Sequence, residues 1–178
     1  MTQFGSDAQR AWHEAAHAVV AARLGLPLQS VNIRIVAQPG KRVAVSGGIT
    51  NIDGKVIKRW YELLPDPEAM KQLENYGTMV AAGMIAERRR PVPNPKDPAA
   101  LGDEAQLADF LFGLHGLNSK TPAGREWIEK RLVEAEKILL ADGKAWDTVH
   151  ATLASNGEMS GDEVRGIVGV AAPADPPS

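Results

Sequence analysis

The chain has 178 residues, 44% of them hydrophobic, and a formal net charge of −2, which suits one domain with an ordinary core and argues against a nucleic-acid-binding surface. It contains no cysteine, so disulfides and thiolate ligands are excluded and any metal site must use His, Asp or Glu. Because no leader-like segment opens the chain and no run approaches ~20 apolar residues, we expect a soluble cytoplasmic protein without a membrane partner.

The first predicted element is a helix from about residue 7 to residue 24. Ser6 or Asp7 is a suitable N-cap, and Gly25 followed by Pro27 ends the helix. Beyond it, Val31 begins an apolar alternation that is typical of a strand. A second alternation follows around residues 43–45, and residues 49–57 are expected to form a third short strand with a turn at 53–54. We therefore expect a small antiparallel sheet.

The second half of the chain reads as helical. Asp66 and Pro67 begin a long helix that ends at the arginines 88–90, and Gly77 and Gly83 within it suggest the close approach of another backbone. A proline-rich loop is expected next. Further helices are expected over 103–112 and from Thr121 through residue 153, with a bend allowed near 142–143. A capping box at 160–163 begins a short last helix, and a disordered tail is expected at 171–178.

The first helix carries the most informative motif, His13-Glu14-Ala15-Ala16-His17. Residues four apart lie on one helix face, so the two imidazoles can share one zinc ion, and Glu14 can take the proton of the attacking water. The alternative is that both histidines are ordinary half-buried helix residues. The sequence thus favours a zinc hydrolase site.

A catalytic zinc site usually has three protein ligands, so a third residue is needed. His115 and His150 are candidates, but each lies in a stretch with other plausible roles. Asp103 is better placed, because it opens a helix after a long loop and its carboxylate can be aimed inward. Asp97 and Glu104 are weaker alternatives. An oxyanion-stabilising residue is not identified by the sequence; the possible groups, each of which also has a structural interpretation, are Tyr61, Tyr76, His115 and His150.

The stretch 13–20 resembles the zinc helix of the FtsH-type AAA metalloproteases. Four further segments agree with that family in order: 39–50 with its Gly-containing edge strand, 81–87 with its A-G-R-A-A-E segment, 102–108 with the position of its aspartate zinc ligand, and 160–164 with its closing motif. The resemblance covers about residues 8–170. It implies a single, mainly α-helical zinc-metallopeptidase domain over 1–170 with a small antiparallel β element.

The resemblance also implies the roles of individual residues. His13, His17 and Asp103 would bind zinc, Glu14 would be the catalytic base, and Glu87 would orient a ligand or brace the helices. An equally acceptable interpretation of Glu87 is a surface carboxylate that pairs with a nearby arginine.

The segment 39–50 is the predicted substrate-binding strand. Val43 and Val45 alternate, and Gly47 leaves room for a second backbone, so an extended polypeptide could add to this edge. The alternative is a plain sheet edge.

The chain departs from the family in three respects. It has no P-loop, Ala16 stands where the family usually has glycine, and the approach to Asp103 is proline-rich. We therefore expect an ATP-independent zinc endopeptidase of unfolded or flexible polypeptides, with self-association or a separate ATPase partner left open. The alternatives are a non-catalytic zinc-binding or regulatory module derived from a peptidase, and a helical assembly protein without metal.

Overall fold

The computed structural model describes residues 7–33, 49–90 and 98–173. The described part is mainly α-helical with a small antiparallel sheet, as expected. The helices are α1 (Asp7–Arg23), α2 (Gly54–Leu63), α3 (Pro67–Arg88), α4 (Pro98–His115), α5 (Pro122–Ala141), α6 (Gly143–Asn156) and α7 (Gly161–Val168). The strands are β1 (Leu28–Asn32), β2 (Ile49–Ile52) and β3 (Glu158–Ser160).

Helix α1 is the centre of the molecule. Its alanine-rich sequence is buried on nearly every side, as expected for a helix surrounded by other elements, and it packs against α3, α6, α7 and β1. Trp12 fixes it to two neighbours: its indole nitrogen donates to the Ala86 carbonyl at 3.0 Å, and its ring stacks on Trp146 with centroids 4.0 Å apart. The His13–His17 motif therefore lies on a helix that the other described elements enclose.

The sheet has the order β2-β1-β3, with both pairs antiparallel. Val31 at its centre faces Thr50 on one side and Met159 on the other. The prediction of a strand over 49–57 was wrong beyond residue 52, where β2 ends. The Asp53 side chain accepts from the Lys55 amide and caps α2, so this Asp-Gly pair begins a helix and not a hairpin turn. Strand β3 was not predicted, because three residues show too little alternation.

Most helix ends lie where their capping signals place them. Asp66 accepts from the amides of residues 68 and 69 at the start of α3, Thr121 caps α5, and Ser160 forms a complete capping box with Glu163. Helix α4 is longer at both ends than the predicted 103–112. The helix predicted from residue 121, with a bend allowed near 142–143, is two helices that meet at Asp142. Among the described residues, none of the helices is both long and apolar enough to cross a membrane.

Candidate metal centre

The two histidines of the motif lie one turn apart on α1 and are both buried, with 5% and 6% of their surfaces exposed. The Nδ1 atom of His17 lies 2.8 Å from the Met79 carbonyl oxygen on α3. Because a carbonyl can only accept, Nδ1 carries the hydrogen and, in the neutral ring, the lone pair lies on Nε2. Helix α3 thus fixes which nitrogen of His17 remains for a metal.

His13 has a carboxylate beside the same ring nitrogen, although this pair lacks hydrogen-bond geometry. Its Nδ1 atom lies 3.4 Å from Glu87 Oε1 on α3, and Glu87 is itself buried and paired with the guanidinium of Arg90. An acceptor beside Nδ1 again leaves Nε2 as the free nitrogen. The carboxylate of Glu87 therefore lies beside a motif histidine, as one of its two sequence interpretations required. It also pairs with an arginine, but it is buried, whereas the other interpretation required a surface carboxylate.

Helix α4 supplies a third converging atom. Asp103 Oδ2 lies 3.2 Å from His13 Nε2 and 3.3 Å from His17 Nε2, and the two Nε2 atoms are 3.1 Å apart. The three atoms form a nearly equilateral triangle of the kind that could hold a metal ion. Although Asp103 Oδ2 is buried, it has no partner of good hydrogen-bond geometry, which is the expected state of an atom aimed at an ion.

The electrostatics of the cluster follow from this crowding. Burial alone would lower the pKa of His13, but the Asp103 and Glu87 carboxylates raise it to about 10. The pKa of His17 is raised in the same way: burial alone would lower it, but the charge of Asp103 outweighs that effect. The pKa of Asp103 is lowered, since the two imidazoles outweigh the effect of its burial. A cation at the centre of the triangle would stabilise the Asp103 carboxylate in place of the protons on the two imidazoles.

Gly83 on α3 provides the room for this triangle. A Cβ atom at this position would overlap Asp103 Oδ2 and would lie 2.5 Å from His17 Nε2 and 2.6 Å from His13 Cε1. The sequence predicted the approach of another backbone at Gly77 and Gly83, and this was wrong: side chains approach both glycines, namely Trp127 and Phe110 at Gly77 and the candidate ligands at Gly83.

Glu14 projects from α1 beside this cluster and is held by β2. The Thr50 hydroxyl donates to Glu14 Oε2 at 2.8 Å. Both residues line a cavity of about 250 Å³ that also contains His17 and Asp103. Thr50 was not predicted as a site residue; nothing local in the sequence links it to Glu14, 36 positions away.

The same cavity is bordered by Tyr76, which the sequence offered as an oxyanion candidate, and by two residues that it did not assign to the site. Ile49 of β2 is 58% exposed at its rim, and Tyr76 of α3 and Gln106 of α4 form another part of its wall. Residues of α3, α4 and β2 therefore surround the cavity that Glu14, His17 and Asp103 share.

The other candidate ligands lie elsewhere. The ring of His115 is 3.7 Å from a carboxylate oxygen of Glu74, and His150 pairs with the Ala8 carbonyl. Glu104 lines a different cavity. Asp97 and the predicted substrate-binding residues Val43, Val45 and Gly47 lie outside the described residues.

No protein-family model matches this chain, and no curated protein is similar enough to it to count as a match. The functional argument accordingly depends on the residues and geometry of the site.

Proposed function

We propose that this chain is a zinc-dependent endopeptidase whose base is Glu14. The observation that carries the proposal is that Glu14 lines the same cavity as His17 and Asp103, two members of the triangle of potential ligand atoms. A structural metal site requires no further carboxylate in a cavity beside its ligands. The resemblance of the sequence to FtsH-type peptidases supports the same conclusion.

The distances support zinc as the ion. A tetrahedral site with bonds of about 2.0–2.1 Å separates its ligand atoms by about 3.3 Å. The observed separations are 3.1, 3.2 and 3.3 Å. Two imidazoles and one carboxylate leave a fourth position free, which is typical of catalytic zinc sites. We propose that Met79 and Glu87 orient the two histidines as ligands, and that Arg90 holds Glu87.

Zinc in this position supplies Lewis acidity and lowers the pKa of a water. The remaining chemistry belongs to the chain. Glu14 accepts a proton from the water as the water oxygen attacks the peptide carbonyl carbon. Glu14 later passes that proton to the leaving amide nitrogen. Thr50 donates a hydrogen bond to Glu14 Oε2, which holds the carboxylate toward the cavity and leaves Oε1 for the proton.

The shape of the site favours an extended substrate. The cavity of about 250 Å³ has room for a short segment of polypeptide, and β2 at its rim is an edge strand of the described sheet. A flexible chain could pair with such an edge and place a carbonyl beside Glu14. We therefore propose unfolded or flexible polypeptides as substrates. Self-association and an ATPase partner stay predictions.

The alternative proposal is a non-catalytic zinc module. It shares the metal ligands but gives Glu14 no role, so one substitution separates the two. We expect Glu14→Gln to keep the fold and the zinc and to lose about 10²–10⁴-fold in turnover, because the amide cannot accept the proton. The measurement is a peptide-library digest analysed by mass spectrometry, with zinc content determined on the same samples.

The matched control is Glu104→Gln, which neutralises an exposed carboxylate next to Asp103 that does not line this cavity. It should cleave as the wild type does. A zinc-loaded wild type that cuts no peptide in the library would contradict the peptidase proposal and favour the non-catalytic module.

A further inference from the structure

The metal cavity contains a phenol that the proposed mechanism has not used. Among the groups that the sequence offered as oxyanion stabilisers, Tyr76 lines the cavity together with Glu14 and His17. The others are engaged elsewhere: Tyr61 packs edge-on against Phe110, and His115 and His150 have the partners described above.

Helix periodicity explains why Tyr76 faces the metal centre. It precedes Met79 and Gly83 on α3 by three and seven residues, so all three lie on the helix face that forms the wall of the site. Opposite, Gln106 follows Asp103 by three residues on α4 and shares its face. The two helices therefore bring a phenol and an amide to the same cavity as the ligands.

The hydrogen bond between these two side chains leaves the phenol proton available. Gln106 Nε2 donates to the Tyr76 oxygen at 3.2 Å, so the phenol acts as an acceptor in this pair and its own O–H can donate to another group. Burial raises the pKa of Tyr76 against a smaller opposing effect of Gln106, which keeps the phenol protonated at neutral pH.

We propose that Tyr76 is a catalytic residue that donates a hydrogen bond to the carbonyl oxygen of the substrate as that oxygen becomes negatively charged. The inference rests on the proposed peptidase function. When the water oxygen bonds to the carbonyl carbon, the π-electron pair moves to the carbonyl oxygen, and the water proton goes to Glu14. Tyr76 keeps its proton throughout and only shares it, so no further reactant is needed. Collapse of the tetrahedral species restores the carbonyl, breaks the C–N bond and sends the proton of Glu14 to the nitrogen.

The test is Tyr76→Phe, which removes the hydroxyl and keeps the ring. Because the donor acts in the transition state, we expect kcat to fall on the order of 10²-fold with KM and zinc content little changed. Tyr61→Phe is the matched control: it removes the same group from a neighbouring tyrosine that contacts the same Phe110 but does not line the cavity. It should behave as the wild type.

A binding measurement provides a readout independent of turnover. A phosphinic peptide, built on a sequence cut in the library digest, carries a tetrahedral anionic group in place of the scissile amide. Tyr76→Phe should weaken its binding by a factor similar to the loss in kcat/KM, since such analogues resemble the transition state. The double variant Glu14→Gln/Tyr76→Phe should bind the uncut substrate peptide with the same affinity as Glu14→Gln alone.

The outcomes separate the two proposals. If wild type cleaves, Glu14→Gln does not, and Tyr76→Phe retains full kcat and phosphinic-peptide affinity, the role of Tyr76 is wrong and the peptidase proposal stands. If KM alone rises, Tyr76 binds substrate and the oxyanion role is equally wrong. If wild type cleaves nothing, the peptidase proposal fails and the role of Tyr76 fails with it.

Discussion

The groups beside two imidazole rings decide which of their nitrogens face each other. The Met79 carbonyl accepts from Nδ1 of His17, and the Glu87 carboxylate lies 3.4 Å from Nδ1 of His13, so both Nε2 atoms are turned toward Asp103. Two neutral rings would then bring lone pairs within 3.1 Å of each other, which is unfavourable unless a proton or a cation lies between them. The raised pKa values of both histidines reflect the proton, and a metal ion at the centre would relieve the same repulsion.

We predict one zinc ion per chain, bound by His13, His17 and Asp103. His17→Ala should abolish binding, and Asp103→Ala should weaken it, because each removes one of three ligand atoms. Metal analysis of purified protein measures both. His115→Ala is the control and should retain the metal, since its ring lies beside Glu74. Full zinc occupancy in His17→Ala, or loss of zinc from Asp97→Ala but not from Asp103→Ala, would contradict the ligand assignment.

A second prediction concerns Thr50, which we propose as a positioning residue for Glu14. Thr50→Val keeps the shape of the side chain but removes the donor that lies 2.8 Å from Glu14 Oε2. We expect roughly a tenfold loss in kcat, corresponding to a hydrogen bond of about 1.4 kcal/mol. Thr50→Ser restores a hydroxyl and should recover most of the activity. Full activity in Thr50→Val, with a loss in Thr50→Ser and unchanged zinc content, would show that the methyl group and not the hydroxyl matters.

At the scale of elements, the contact face of α3 supplies the second half of the centre. Its spacing of three and four residues places Tyr76, Met79, Gly83 and Glu87 against the motif face of α1 and the start of α4. Because Gly83 has no side chain, the ligand side chains can meet against the backbone of α3 at that position. The facing surfaces of α1 and α3 are thus complementary, and neither helix forms the site alone.

We predict that Gly83→Ala destroys metal binding although alanine favours helices. Its Cβ would overlap Asp103 Oδ2 and press on both imidazoles, so the three ligand atoms could not converge. Zinc affinity by competition with a chelating dye is the measurement. Gly113→Ala is the matched control in α4, where a Cβ would meet no atom within 4 Å. It should keep the metal and stabilise the fold by up to about 1 kcal/mol. Unaltered affinity in Gly83→Ala would mean that the cluster is not the binding site.

At the scale of the whole molecule, the proposed function requires that a substrate reach an enclosed centre. The His13–His17 motif lies on a largely buried helix, and the proposal assigns access to the cavity beside β2. No P-loop pattern occurs in the sequence, so this chain by itself has no evident means to unfold a protein with ATP. Only segments that are already extended should enter.

We therefore predict that a permanently unfolded protein such as casein is cleaved, whereas a tightly folded one resists. A folded substrate offers only its transiently open population. The assay compares both substrates, with and without ATP, using purified wild type and Glu14→Gln. ATP-stimulated cleavage of the folded substrate, in a preparation free of other ATPases, would contradict ATP independence.

The sequence by itself determined what local geometry controls. The His13–His17 pair shares a face because residues four apart do so in any α-helix, and the ends of α3, α5 and α7 follow from Asp66, Thr121 and Ser160, whose side chains cap their own neighbouring amides. The Asp53-Gly54 pair is the instructive failure, since the same residues suit a hairpin turn and a helix start, and packing decided for the helix.

The tertiary structure alone decided what depends on distant parts of the chain. The partner of His17 on α3 is 62 residues away, the donor to Glu14 is 36 residues away, and the donor to Tyr76 is 30 residues away. The capping and periodicity rules used here act over a few residues, so they leave such pairings undetermined. The sequence already preferred Asp103 to the two distant histidines, but only the packing of α1, α3 and α4 shows its carboxylate beside His13 and His17. The choice of Tyr76 over the other oxyanion candidates became possible only when that packing placed it in the same cavity as Glu14 and Asp103.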